Sequence, residues 1–276
     1  MMFTILGAGG FIGSQLAESL MGTRGCDVYA PMRHDGINLL DQVLERELGH
    51  IFYCIGLTAD FRSRPFDTVE AHVCLLRRIL ERGRFESLTY LSSARIYEGA
   101  ATTSEETILQ ISPENPGHLY NISKLMGESL CVASGRRTKV VRLSNVLHKT
   151  ISQQNFIGQI LKEASDTGHV HFLTAPASEK DYVSMADVIR WLPQIAMQGT
   201  YPIYNVASGT NFSNAEIASL LERKGISVSF AEGPPEWSFQ RIDTRRLVGE
   251  FGGAQRIMPN EFEDLLDYFI NHNEAA

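Results

Sequence analysis

Two residues four apart, Tyr120 and Lys124 in the run Tyr120-Asn121-Ile122-Ser123-Lys124, have the types and spacing for proton transfer. At that spacing they share one face of a helix. A phenol titrates near about 10 and is a poor acid or base at neutral pH, but a neighbouring ammonium stabilises the phenolate and lowers that value. The tyrosine can then pass a proton to or from a substrate oxygen while hydride moves at the adjoining carbon. An amphipathic helix with a surface lysine meets the same spacing, so a second group is needed. Leu88-Thr89-Tyr90-Leu91 reads as a strand that ends in Ser92-Ser93-Ala94-Arg95-Ile96-Tyr97. Serines at the C-terminal end of a parallel strand face the ligand crevice. There Ser92 and Ser93 can hydrogen-bond a reacting oxygen, or they can merely satisfy turn amides.

Near the start of the chain, Gly7-Ala8-Gly9-Gly10-Phe11-Ile12-Gly13 lies between a strand and a helix. Gly7, Gly10 and Gly13 give a GxxGxxG spacing. A tight strand-to-helix turn needs φ freedom at its first glycine. A pyrophosphate on the helix N-terminus, at Gly10, Phe11 and Ile12, needs a backbone it can approach without a Cβ in the way. The last glycine lets helix and strand pack closely. Dinucleotide binding is the expectation. The second strand ends Val28-Tyr29-Ala30-Pro31-Met32-Arg33-His34, without the acid that grips ribose hydroxyls. Arg33 stands where a guanidinium could take a 2′-phosphate, which favours NADP over NAD. The other reading leaves Arg33 solvated and curls Asp35 back to a ribose.

These groups must be positioned by alternating elements. Strands are expected at Phe3 to Leu6, Val28 to Ala30, Ile51 to Ile55, Leu88 to Leu91, Val140 to Leu143 and Tyr204 to Val206. Helical patterns lie between or after them, at Phe11 to Leu20, Val69 to Leu80, Tyr120 to Cys131, Phe156 to Ala164, Asn214 to Arg223 and Glu261 to Ile270. Alternation of β and α implies a parallel sheet with helices on both faces. The last third is more polar and mixed, so a smaller covering region is expected. Residues 1–150 and 181–208 are assigned to the nucleotide-binding body, and 151–180 and 209–276 to the substrate-binding region.

The 276 residues carry a formal net charge of −7, which argues against a nucleic-acid partner. No run of about 18 apolar residues exists and no signal peptide is read, so no membrane span and a cytoplasmic location are expected. Cys26, Cys54, Cys74 and Cys131 have no metal-like or CxxC spacing and read as reduced thiols. His169 and His171 lie two apart on one strand face, but without a third ligand no metal site is expected.

The glycine loop, the Ser-Ser-Ala-x-Ile-Tyr run and the YxxxK pair, in this order and spacing, resemble the extended short-chain dehydrogenase/reductase family of UDP-galactose 4-epimerase and related nucleotide-sugar enzymes. The resemblance implies a Rossmann-type doubly wound α/β fold with a smaller mixed α/β substrate-binding region. It also implies an NAD(P) cofactor, a nucleotide-sugar substrate and a homodimer. It makes Ser93, Tyr120 and Lys124 the catalytic group and Asn38 an adenine-side residue, an amide in place of the usual acid. Arg142-Leu143-Ser144-Asn145-Val146 resembles the segment whose asparagine meets the substrate diphosphate. Lys180-Asp181-Tyr182-Val183 and Arg241-Ile242-Asp243-Thr244 resemble two further conserved stretches, which makes Lys180 and Arg241 candidate cations for that diphosphate. His72 replaces a helix asparagine and reads as a satisfied core histidine. Dehydratases of this kind carry Thr-Asp-Glu where this chain has Ser93-Ala94-Arg95, which argues against elimination. Reduction of a keto-sugar nucleotide with NADPH is the favoured chemistry. An epimerase with tightly bound NAD is the alternative, and a non-catalytic NAD(P)H sensor is the reading from another class.

Overall fold

The computed structural model describes residues 1–32, 39–57, 60–150, 155–252 and 259–272. The chain opens on β1 (Met2–Leu6), which buries Phe3 and Ile5 in one cluster and Leu6 in another. A strand covered on both faces needs such a continuous apolar run. The chain continues through α1 (Phe11–Met21), β2 (Asp27–Tyr29), α2 (Leu39–Leu44) and β3 (His50–Tyr53). A helical run follows: α3 (Pro65–Val69), a π-helical turn at Glu70–Cys74, and α4 (Leu75–Arg82). Pro65 opens it, as the missing N–H and fixed φ of proline allow. Next come β4 (Ser87–Ser93), a 3₁₀ turn at Ala94–Tyr97, α5 (His118–Ala133) and β5 (Thr138–Leu143).

The sheet is completed from further along the chain. β6 (Asn145–Leu147), α6 (Phe156–Thr167), β7 (His169–Phe172) and β8 (Glu179–Ser184) lead to α7 (Met185–Gln198) and β9 (Ile203–Val206). The six strands stand in the order β2-β1-β3-β4-β5-β9, and every neighbouring pair is parallel. The chain steps outward from β1 to β2 and returns to the other side at β3. That reversal opens a crevice beyond the C-terminal ends of β1 and β3.

The remaining elements are β10 (Asn211–Ser213), α8 (Asn214–Arg223), β11 (Ser227–Phe230), α9 (Arg245–Phe251) and α10 (Pro259–His272). A second sheet has the order β10-β8-β6, and β11 pairs with β7 in a third. Their apolar faces meet α6, α8 and α10 in a separate cluster around Leu161, Phe172, Leu221 and Phe262. β8 joins the two regions by alternation: Val183 enters the body's cluster and Tyr182 the outer one. Residues 245–251, expected with the substrate-binding region, instead pack on the body. Leu247 of α9 is fully buried among Tyr204, Trp191 and Leu192. Among the described residues, no helix is long and apolar enough to cross a membrane.

Candidate active site

The glycine loop turns at the end of β1 with Gly7 at φ +90°, a conformation that disfavours any Cβ. A Cβ at Gly7 would also lie 2.9 Å from the Cys54 carbonyl carbon, just past β3. The Gly10 amide donates to the Gly7 carbonyl at 2.9 Å, and Gly10 caps α1 without a side chain. A Cβ at Gly13 would collide with the Gly7 carbonyl oxygen. The first turn of α1 therefore keeps unpaired N–H groups and holds no acid. Gly10, Phe11 and Ile12 wall a cavity of about 410 Å³ together with Cys54, Ser93, Tyr120 and Lys124. This uncapped cradle, closed to any larger residue, fits the pyrophosphate of a dinucleotide. Arg33 and Asn38, the residues expected at the adenosine end, lie outside the described residues.

Tyr120 and Lys124 sit on the buried face of α5, with 6% and 5% of their surfaces exposed. The Ser93 hydroxyl accepts from the Arg95 amide at 3.2 Å and lies close enough to the Tyr120 phenol to lower its pKa. Ser93 thus caps the 3₁₀ turn and meets the phenol at once. Lys124 Nζ donates to the Leu91 carbonyl at 2.8 Å and lies 5.9 Å from the centre of the Tyr120 ring. Burial pushes the phenol above its ordinary value, while the Ser93 hydrogen bond and the Arg95 charge pull it back. Burial likewise lowers Lys124 to about 8, against the opposing charge of Glu128. In the unliganded dyad, then, the ammonium gives up its proton before the phenol does. We expect kcat/KM for the cofactor, which reports the free enzyme, to fall as pH rises through about 8. An alkaline limb above about 10 would assign the titration to the phenol instead.

His72, in the π-helical turn, is fully buried and satisfied on both nitrogens. Nε2 accepts from the Leu57 amide at 3.2 Å, so Nδ1 carries the proton and donates to Ser123 Oγ at 2.8 Å. Ser123 in turn donates to the Tyr120 carbonyl at 2.9 Å. Burial, then the Lys124 charge, holds the imidazole down at about 2, so it stays neutral. It ties the loop after β3 to the turn that carries Tyr120.

A second cavity of about 370 Å³ opens from the first and shares Ser93, Arg95, Ser144, Asn145 and Phe156 with it. Lys180 lines it, with Nζ 4.3 Å above the centre of the Phe156 ring. No carboxylate neutralises Lys180 among the described residues: Glu179 accepts from Asn211, and Asp181 accepts from Ser208 and Thr210. Burial, then the Arg95 charge, lowers the lysine from its ordinary value. Asn145 borders both cavities, and its amide nitrogen donates to the Asp181 carbonyl at 2.9 Å.

Of the other expected substrate residues, Ser92 borders the first cavity and Arg241 borders neither. The Ser92 hydroxyl turns into the body and donates to Glu128 at 2.5 Å, because adjacent residues of β4 face opposite sides of the sheet. Arg241 is exposed, while its neighbours Gln240 and Ile242 line the second cavity. The Arg241 carbonyl accepts from Thr103 Oγ1 at 2.7 Å, which fixes that alternation. Conversely, sequence reasoning passed over Arg95, Phe156 and Trp237 as lining residues. His169 and His171 spend their ring nitrogens on Ser227 and Ser229 of β11. No metal-holding cluster occurs among the described residues.

The model of the NAD dependent epimerase/dehydratase family matches residues 3–207, which takes in every group of the dyad site and most of the chain, and the chain belongs to that family. No curated protein matches it. Solved structures share its fold at low identity. RMD from Pseudomonas aeruginosa complexed with NADPH has a TM-score of 0.83 at 20% identity, over 98% of this chain and 99% of that one. UDP-glucuronic acid 4-epimerase from Bacillus cereus, in complex with UDP-glucuronic acid and NAD, has 0.81 at 17%, over 98% and 99%. dTDP-glucose 4,6-dehydratase from Bacillus anthracis str. Ames, in complex with NAD, has 0.77 at 18%, over 99% and 98%.

Proposed function

We propose that the protein reduces a keto group on a nucleotide-linked sugar, with NADPH as the hydride source. The observation that carries this reading is the position of the Tyr120 phenol. It meets Ser93 where the cavity of the glycine loop runs into the cavity of Lys180. A bound nicotinamide supplies hydride to the carbonyl carbon. Ser93 holds the carbonyl oxygen in line with the phenol, and Tyr120 delivers the proton that makes it a hydroxyl. Lys124, charged below about pH 8, stabilises the phenolate left behind until solvent reprotonates it. NADPH and NAD stand beside related folds in the neighbours' structures, and the preference for NADPH rests on Arg33. The Ser93-Ala94-Arg95 run offers no carboxylate for the proton removal that an elimination needs.

The test is NADPH consumption with a panel of 4-keto and 6-deoxy-4-keto nucleotide sugars. Net oxidation supports reduction. Interconversion of sugars without net oxidation would make the enzyme an epimerase. No turnover across the panel would return the binding-only reading.

We assign the substrate diphosphate to Lys180 and Asn145, a cation without a carboxylate partner among the described residues and an amide, both lining the second cavity. Lys180→Ala should raise KM for the nucleotide sugar about tenfold, the scale of a charge-assisted hydrogen bond, with NADPH affinity unchanged. Arg241→Ala should change KM less than twofold, since its side chain is exposed. Steady-state kinetics on both variants checks this, and equal losses would remove Lys180 from the diphosphate.

A further inference from the structure

Beside Tyr120 two arginines converge on one aromatic ring, one of them, Arg95, also lining the cavity of Lys180. Phe61 is buried and lies 5.4 Å from the Tyr120 ring, centre to centre. The Arg62 guanidinium lies 4.6 Å from the centre of the Phe61 ring and that of Arg95 lies 5.2 Å from it. Arg95 is also 5.8 Å from the centre of the Tyr120 ring. One terminal nitrogen of each arginine comes within 3.7 Å of the point where a side chain at Gly117 would begin. The Asn115 side-chain oxygen, which accepts from the Gly117 amide at 2.8 Å, lies 3.1 Å from the same point, so the protein's own neutral acceptor borders the gap.

Two guanidinium groups held this close repel each other unless an anion joins them. No nearby acid joins both. Glu98 pairs with Arg95 alone, at 3.8 Å and without a hydrogen bond, and its Oε2 has no hydrogen-bond partner in the protein. Asp60 is taken by Arg64. Asp181 is taken by Ser208 and Thr210. Arg62 has no acid partner among the described residues. Stacking on Phe61 orients both planar forks without using their N–H groups. Paired forks with free donors match the two oxygens of a carboxylate.

We infer that Arg62 and Arg95 bind a carboxylate on the sugar itself, so that the substrate is a nucleotide-linked acidic sugar. The inference rests on the proposed nucleotide-sugar reading and adds the class of sugar. The anion lies at Arg95, which borders both the cavity of Tyr120 and that of Lys180, the residue assigned with Asn145 to the diphosphate. Arg62 and Arg95 act on specificity and take no proton.

The experiment is calorimetric titration of the full chain loaded with NADP⁺, with matched alcohol-side ligands. UDP-glucuronate is compared with UDP-glucose, and GDP-mannuronate with GDP-mannose. The acidic member of the preferred pair should bind about tenfold tighter or more. Arg62→Gln should erase that advantage and move the neutral sugar less than twofold, and Arg95→Gln should cost the acidic sugar more than the neutral one. Arg62 is exposed, so its variant folds whatever Arg95 contributes to the turn. Equal binding of acidic and neutral sugars overturns the inference and leaves the nucleotide-sugar reading standing. Equal losses for both sugars in the variants also overturn it, because the arginines would then hold the diphosphate. Binding of neither pair overturns both.

Discussion

Tyr120→Phe is expected to lower turnover by about two to four orders of magnitude, the usual worth of a positioned acid, and to leave cofactor affinity within about twofold. The substitution deletes one oxygen from a side chain that is 6% exposed and keeps the ring packed against Phe61 and His72. The phenol lines the cavity of the glycine loop beside Ser93, which borders both cavities. Stability should change little, and a gain is possible because a buried polar group is removed. Single-turnover rates and cofactor titration on the same preparation separate the two effects. A variant within threefold of the wild-type rate would take Tyr120 out of the mechanism.

The second large effect is on stability. Glu128 and Arg142 form an ion pair inside the body, 4% exposed each, with contacts at 2.7, 3.1 and 3.2 Å. Arg142 also donates to the Tyr97 hydroxyl at 2.7 Å, which donates to Asn205 at 2.8 Å. Removing one partner leaves the other charge buried and alone. Glu128→Ala should therefore cost about 3–5 kcal/mol, and Tm should fall by roughly 10 °C. Pairing it with Arg142→Met should recover part of the loss. The pair also reaches the site. Glu128 lies one helical turn beyond Lys124, and its charge opposes the fall of the lysine. Without that charge Lys124 loses its proton at lower pH, so Glu128→Gln should move the alkaline limb below about 8. A variant within 1 kcal/mol of wild type with an unmoved limb would contradict both statements.

Much of the body could be read before folding because its signals are local. β1, β3, β4 and β5 are short apolar runs, and the glycine loop and the Tyr120–Lys124 spacing each lie within seven residues of sequence. The outer region gives weaker signals. β6 and β10 have three residues each, and β8 mixes Glu179, Lys180 and Asp181 with its buried positions. α7 was harder still. Pro193 sits inside it and reads as a break, yet Trp191, Leu192 and Ile195 bury completely and hold the helix together. Side-chain direction along an extended segment is not legible in the sequence. Ser92 and Ser93 point to opposite sides of β4, as Arg241 does relative to Gln240 and Ile242, and a shift of one residue exchanges inside for outside. Arg95 could be read as a missing carboxylate, but its partners Phe61 and Arg62 lie more than thirty residues earlier and only folding brings them together.

The chemistry itself can be followed by one isotope. NADPH carrying deuterium at the transferring carbon is mixed with the protein and the keto-sugar nucleotide it consumes, and the product is examined by mass spectrometry and proton NMR. The expected result is one deuterium per molecule on the new carbinol carbon, one NADPH oxidised for each, and no label in product formed by Tyr120→Phe above its residual rate. Product that carries solvent hydrogen at that carbon, or that forms without oxidising the cofactor, would contradict a reductase built on Ser93, Tyr120 and Lys124.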